Sequence, residues 1–319
     1  MVSFETVQKS NSLISTVPKG LVALFIGATS GIGQSALQQF AQHASSPRIY
    51  TVARPQSVAS HQKLLDSLRQ SNPSSTYNLI TADVALISEV SKIVDAVKKA
   101  ETKLDILVVS PGFMPFEGRI DTSEGLDPSM TTRYYSRLRA VEQLLPLLNN
   151  APSPRIVSVL AGGVEAPLNE DDLGLKDPKN WTTWNSSLHS ATMGTLALER
   201  FARQNPKLSI VHWYPGPVDT PGLARAAAFG ASHPDKMSQD EGGARALFFA
   251  TSDRYSVHGG LVLAPEGLGE VKKTGGGIYI LNPEGESTDN EKVLAKMRNR
   301  GVDEAVWTFT EQIFAATSK

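Results

Sequence analysis

LVALFIGATSGIG, residues 21–33, is the stretch on which the fold turns. Leu21 to Ile26 is a continuous apolar run, short enough for a strand buried on both faces. It passes into Gly27, Ala28, Thr29, Ser30, Gly31, Ile32 and Gly33, after which apolar residues recur at helical spacing to Ala44. Glycines are required there because the backbone must turn sharply and approach a pyrophosphate, whose charge is met by free N–H groups at the helix N-terminus. The order of strand, glycine turn, helix and second strand points to a dinucleotide site rather than a purely structural turn.

Outward from that turn, apolar runs alternate with helix-period segments, the pattern of a parallel sheet wrapped by helices. Strands are expected at Leu21–Ala28, Arg48–Ala53, Tyr77–Ala82, Asp105–Val109, Arg155–Leu160, Leu208–Tyr214 and, last, within 277–282. Helices are expected at Gly31–Ala44, Val58–Ser71, Ser88–Thr102, Pro128–Asn149 and about Ser186–Gln204, with two more at Asn290–Arg300 and Asp303–Ala316 separated by Gly301. The fold class predicted is α/β, a Rossmann-like doubly wound sheet of about seven strands in one domain. Residues 1–19 form a helical extension capped at Ser3, 20–220 the dinucleotide core, 221–276 a substrate-lid insertion rich in Ala and Gly, and 277–319 the last strand and terminal helices.

Composition narrows the chemistry. The 319 residues carry 31 Lys and Arg against 32 Asp and Glu, a formal charge of -1, which disfavours nucleic acid as a partner. No cysteine is present, so thiolate metal sites, disulfides and cysteine nucleophiles are excluded, and a reducing, cytoplasmic setting is expected. No apolar run approaches the roughly 18 residues of a membrane span, and mean hydropathy is -0.17, so no membrane association is expected. Glu170, Asp171 and Asp172 lack accompanying histidines and suggest a solvated loop; no metal site is predicted. Arg54, at the tip of the second strand where an NAD site would place an acid, suits a 2′-phosphate and favours NADP(H) as cofactor.

These residues resemble the short-chain dehydrogenase/reductase family over about residues 20–220. Gly27, Gly31 and Gly33 match its TGxxxGxG turn, with Ile26 at the usual threonine. Asp83, followed by Val84, matches the acidic residue after the third strand that contacts adenine. Pro215, Gly216, Val218 and Thr220 match the PGxVxT segment that lines the nicotinamide, and Ser110, Pro111 and Gly112 stand where the family has NNAG. The N-terminal extension and the tail from Asn290 look like atypical members from fungal secondary-metabolite pathways.

The departures carry more information than the matches. The family delivers its proton through Asn, Ser, Tyr and Lys, and none of the four slots holds the family residue here. The seven tyrosines are followed four residues later by Arg54, Thr81, Leu138, Arg139, Val218, Gly259 and Pro283, so no YxxxK occurs. The serine slot falls on Ala161, the asparagine slot of the fifth helix on Arg133, and the tyrosine slot near 186–189. His189 is the one titratable group beside that slot and a candidate acid or base. Arg133 is a candidate fixed cation for a carbonyl or an anionic group, with Tyr134 and Tyr135 as neighbours. Trp181, Trp184 and Trp213 suit an aromatic pocket, although core filling is the commoner use of tryptophan.

Three functions stay open at this point. One is hydride transfer between NADP(H) and a small, apolar, activated molecule without the usual catalytic set. The second is a redox-neutral cyclase, isomerase or dehydratase on the same fold, and the third a non-catalytic nucleotide-binding protein. A small-molecule substrate is the expected partner, and a homo-oligomer is compatible with the sequence.

Overall fold

The computed structural model describes residues 1–112, 114–230, 233–288 and 290–317. The 21–26 run becomes β1 (Val22–Ile26), buried along its whole length. Its alternate residues feed opposite cores: Val22, Leu24 and Ile26 enter one, Ala23 and Phe25 the other. With β2 (Arg48–Ala53), β3 (Thr76–Thr81), β4 (Ile106–Val109), β5 (Arg155–Val159), β6 (Ser209–Trp213) and β7 (Tyr279–Leu281) it forms one sheet in the order β3-β2-β1-β4-β5-β6-β7. Every adjacent pair is parallel. The direction of winding reverses between β1 and β4, and a ligand crevice opens beyond the carboxyl ends of strands at such a switch point.

The helices are α1 (Phe4–Ser12), α2 (Gly31–His43), α3 (Val58–Ser71), α4 (Val90–Ala100), α5 (Pro128–Met130), α6 (Ser136–Asn150), α7 (Thr183–Gln204), α8 (Pro221–Ala227), α9 (Gln239–Thr251), α10 (Glu291–Asn299) and α11 (Val302–Thr317). α1, α2, α3 and α9 cover the Ala23 and Phe25 face, while α4, α6, α7, α10 and α11 cover the other. Both faces are therefore dry, as a parallel sheet demands.

The expected N-terminal helix capped at Ser3 is present, and two segments expected at the periphery pack against the body of the fold. The first 19 residues are pinned rather than appended: the Ser3 hydroxyl caps α1 by accepting the Thr6 N–H at 3.1 Å, and Asn11 Nδ2 donates to the Ala244 carbonyl on α9 at 2.9 Å. The 221–276 stretch is not wholly a lid, because it contains α9, a core helix packed on α2. α9 escapes a periodicity search because Gly242 through Thr251 are all buried, which leaves no polar face. Its glycines serve close approach, since a Cβ on Gly243 would sit 2.2 Å from Ser35 Oγ. Ala231, the end of the Ala-rich stretch, and Ser232 lie outside the described residues.

The helix expected over 128–149 is interrupted. Between α5 and α6, Thr131–Tyr135 forms a π-helical turn, with the Ser136 N–H bonded to the Thr131 carbonyl. The wider turn frees the Thr132 carbonyl, which accepts from Arg137 Nε at 3.2 Å. Such turns recur at functional sites, and this one carries Arg133.

Candidate active site

A cavity of about 670 Å3 lies at the carboxyl ends of β1, β2 and β4. Twelve of the nineteen residues singled out from sequence line it: Gly27, Thr29, Ser30, Gly31 and Ile32 of the turn, Arg54, Asp83, Val84, Ser110, Pro111, Gly112 and Thr220. The turn is specified by close contacts. Gly27 has φ +91°, and a Cβ there would lie 2.4 Å from the Pro111 nitrogen; a Cβ on Gly33 would lie 2.4 Å from the Gly27 carbonyl oxygen. Gly33 is therefore the packing glycine beneath the turn and does not itself reach the cavity. Gly31 opens α2 at φ +64°, a left-handed conformation that disfavours any side chain.

Ser30 occupies the N-cap of α2 without closing it, since its side chain makes no capping hydrogen bond. The first-turn N–H groups are thus left to an external acceptor, the arrangement that binds phosphate. At the tip of β2, Arg54 lines the wall and makes no ion pair among the described residues. Asp83 closes an Asx turn, accepting the Ala85 N–H at 3.0 Å, and so holds the β3 end of the wall in shape. The residues present fit a dinucleotide: an uncapped helix start, a glycine turn packed to backbone distance, and a cation where a 2′-phosphate would be read.

The PGxVxT segment contributes less than expected. Thr220 lines the cavity and caps α8 by accepting the Leu223 N–H at 3.2 Å. Pro215, Gly216 and Val218 do not line it. Gly216 packs towards Pro283, and Val218 is buried in a parallel bridge with Met237.

The reaction end differs more. Arg133 is 8% exposed, and among the described residues its guanidinium meets only the Ser187 hydroxyl at 2.7 Å and the Met114 sulfur at 3.5 Å. Desolvation lowers its pKa to about 10, partly offset by Asp127, so it stays cationic at neutral pH. Asp127 makes no ion pair with it; the carboxylate accepts from Ser129 N–H, Trp181 Nε1 and the Ser186 hydroxyl. Thr132, next to Arg133, and Pro128 line the cavity, while Arg133 itself does not.

His189 and Tyr134 are placed elsewhere. His189 Nε2 accepts the Asn169 N–H at 3.1 Å and Nδ1 faces the Leu173 carbonyl at 3.4 Å, with burial lowering its pKa. Both nitrogens are thereby spent tying the 166–173 loop to α7, which leaves no proton to deliver. The Tyr134 hydroxyl pairs with Thr310 Oγ1 of α11 at 2.7 Å, fully buried in the helical layer and away from the cavity. Tyr135 stacks edge-on against it. Trp213 is core, its Nε1 donating to Asn282 O, and Trp184 is 70% exposed.

Sequence reasoning missed three residues here. Arg225 of α8 lines the cavity, with no ion pair among the described residues. Arg137 is buried behind β4 and β5, where it donates to the carbonyls of Val109, Pro111 and Val159 and to Ser158 Oγ. Among the described residues it has no carboxylate partner, and burial lowers its pKa to about 9. Beside it, His212 Nδ1 meets Thr195 Oγ1, which donates to Glu165, while Nε2 is buried without a partner. Their sequence signal was weak: Arg137 resembles any polar helix position, and His212 sits in an apolar strand. Among the described residues no metal cluster occurs, and no helix is long and apolar enough to cross a membrane.

Fold and turn together define a nicotinamide-dinucleotide type of oxidoreductase scaffold, and the family profile described as short chain dehydrogenase matches residues 21–228. The chain belongs to the short-chain dehydrogenase family. It is 67% identical over 319 residues, 100% of this chain and 97% of the relative, to the NmrA-like family domain-containing oxidoreductase notO of Aspergillus sp. (strain MF297-2). Oxidoreductase AN1596 of Emericella nidulans is 37% identical, covering 98% of each chain. Among solved structures, the NADPH-bound carbonyl reductase from chicken fatty liver superposes with a TM-score of 0.57 at 18% identity, covering 86% of this chain and 100% of that one. At that identity the likeness shows the fold alone.

Proposed function

We propose that this oxidoreductase binds NADP(H) and transfers hydride to or from a small, largely apolar, activated molecule without a Ser-Tyr-Lys set. The observation that carries the reading is the cavity joining an uncapped α2 start and its glycine turn to Arg54, which has no ion pair among the described residues. When bound, the nucleotide supplies a hydride donor or acceptor. The turn and the start of α2 would hold its pyrophosphate and Arg54 its 2′-phosphate.

The reaction end offers a fixed positive charge and no free acid. Arg133 would stabilise negative charge developing on a substrate oxygen, or hold an anionic group, at no reorganisation cost because Ser187 and Met114 already set its position. The serines around the tyrosine slot are engaged: Ser186 with Asp127, Ser187 with the Thr183 carbonyl and Ser190 with the Ser187 carbonyl. Such a site suits an electrophile that needs no delivered proton at the moment of hydride transfer, such as an iminium or a conjugated enone. Met114, exposed and touching Arg133, offers apolar surface beside that charge.

The test is deuteride transfer from 4-deuterated NADPH into cyclohexenone and a dihydroisoquinolinium probe, read by mass spectrometry. Deuterium in either product supports hydride transfer. Tight NADPH binding with no deuterium transferred to either probe would favour the redox-neutral reading, in which Arg133 acts on the substrate while the nucleotide is structural.

A further inference from the structure

Resting on the reading that this cavity takes a dinucleotide, we infer that Arg225 on α8 grips its pyrophosphate and couples nucleotide occupancy to the position of that helix. The cavity wall carries three ionisable side chains, Arg54, Asp83 and Arg225. Two are cations without an ion pair among the described residues, and the one carboxylate already accepts the Ala85 N–H. The wall is therefore net positive and favours an anion.

Position separates the two arginines. Arg54 follows β2, where the second strand ends. Arg225 is tied to the other side through a chain of contacts. A Cβ on Gly31 would meet Thr220 Cγ2 at 3.3 Å; a Cβ on Gly222 would meet Thr220 Oγ1 at 3.6 Å and Arg225 Nη2 at 4.0 Å. Arg225 therefore enters the cavity from the α8 side, which meets the start of α2 through Thr220, and not from the end of β2 where Arg54 stands. Planar N–H donors at that point suit a bidentate contact to phosphate oxygens.

α8 is free to respond. None of its residues is buried, so little apolar area anchors it. Beyond the Thr220 cap, a stacking contact holds the lid stretch to the body: Phe229 lies on Phe116 with ring centroids 4.8 Å apart and planes at 14°. A phosphate contact through Arg225 adds a second tether of comparable strength, so the bound nucleotide draws α8 and Phe229 over the reaction end.

The experiment compares wild type, Arg225→Ala, Arg225→Lys and Arg54→Ala in fluorescence titrations with NADPH and NADH and calorimetric titrations with ADP-ribose. Arg225→Ala is expected to weaken all three by about tenfold and alike, with Arg225→Lys intermediate. Arg54→Ala is expected to weaken NADPH alone. Chymotryptic cleavage after Phe229, which is 56% exposed, should slow with saturating NADPH in wild type and not in Arg225→Ala. Wild-type affinity in Arg225→Ala for all three ligands would overturn the inference, and so would a loss confined to NADPH, which would assign Arg225 to the 2′-phosphate. Failure of wild type to bind any of the three would instead overturn the dinucleotide reading itself.

Discussion

The glycine turn in the cavity wall is built largely of main chain, whereas the layer behind Thr132 on the other side is built of long polar side chains. At the first, Gly27, Gly31 and Gly33 matter for what they lack, because backbone atoms stand where a Cβ would be. At the second, Arg133, Arg137 and His212 matter for what they carry, each held by hydroxyls, carbonyls or sulfur instead of carboxylates. A main-chain site has few acceptable residues, so its pattern survives in readable form. A side-chain site can be refitted by substitution while the fold stays, and the chemistry changes with it.

The sharpest way to break the comparison is at the glycine turn. Gly27→Val must add a branched side chain at φ +91° into space held by Ser110 and Pro111. It is expected to cost about 3 kcal/mol or more, read as a lower urea midpoint together with lost nucleotide binding. A stable variant that still binds would show that side chains dominate this end as well.

Beneath the reaction end, His212 is fully buried, and desolvation followed by repulsion from Arg137 lowers its pKa to about 3. As pH falls through 6.5 the unfolded chain takes up a proton that the folded chain refuses until near 3. The contribution is therefore present above 6.5 and lost across the window below it. Stability should drop by about 2 kcal/mol between pH 7 and pH 5 from this residue alone. Denaturant melts at the two pH values should show a smaller drop in His212→Gln; equal drops would remove His212 as the cause.

Arg133→Ala is expected to lower turnover by about tenfold or more while leaving the unfolding free energy from urea melts within about 1 kcal/mol of wild type. Unchanged turnover would take Arg133 out of the reaction. The smallest effect is expected from His189→Asn: an unshifted pH–rate profile and a stability loss of roughly 1 kcal/mol from two weakened backbone contacts. A moved profile would restore the histidine as an acid or base.

Much of the fold was legible because the strands are short, continuous and apolar, and the turn between β1 and α2 has a demanding geometry. Even the three-residue β7 was found from its apolar run. α9 was not, since a helix buried all round loses its 3.6-residue signature. The cavity wall was legible through Gly27, Arg54 and Asp83, whose positions follow from strand ends. The reaction end was not. Whether Tyr134 faces the cavity or α11 depends on a π-helical turn that shifts the helix register, and no propensity announces that turn. Arg225 was hidden in an alanine-rich stretch that reads as greasy, although its guanidinium reaches the cavity wall.

The central claim is that the nucleotide end is intact and prefers a 2′-phosphate. The direct measurement is an equilibrium titration of the purified protein with NADPH and NADH, following nicotinamide fluorescence. Tight NADPH binding, with a preference over NADH of about tenfold that disappears in Arg54→Ala, is the predicted result. Absence of binding by either nucleotide at millimolar concentration would contradict it and leave the glycine turn as packing alone.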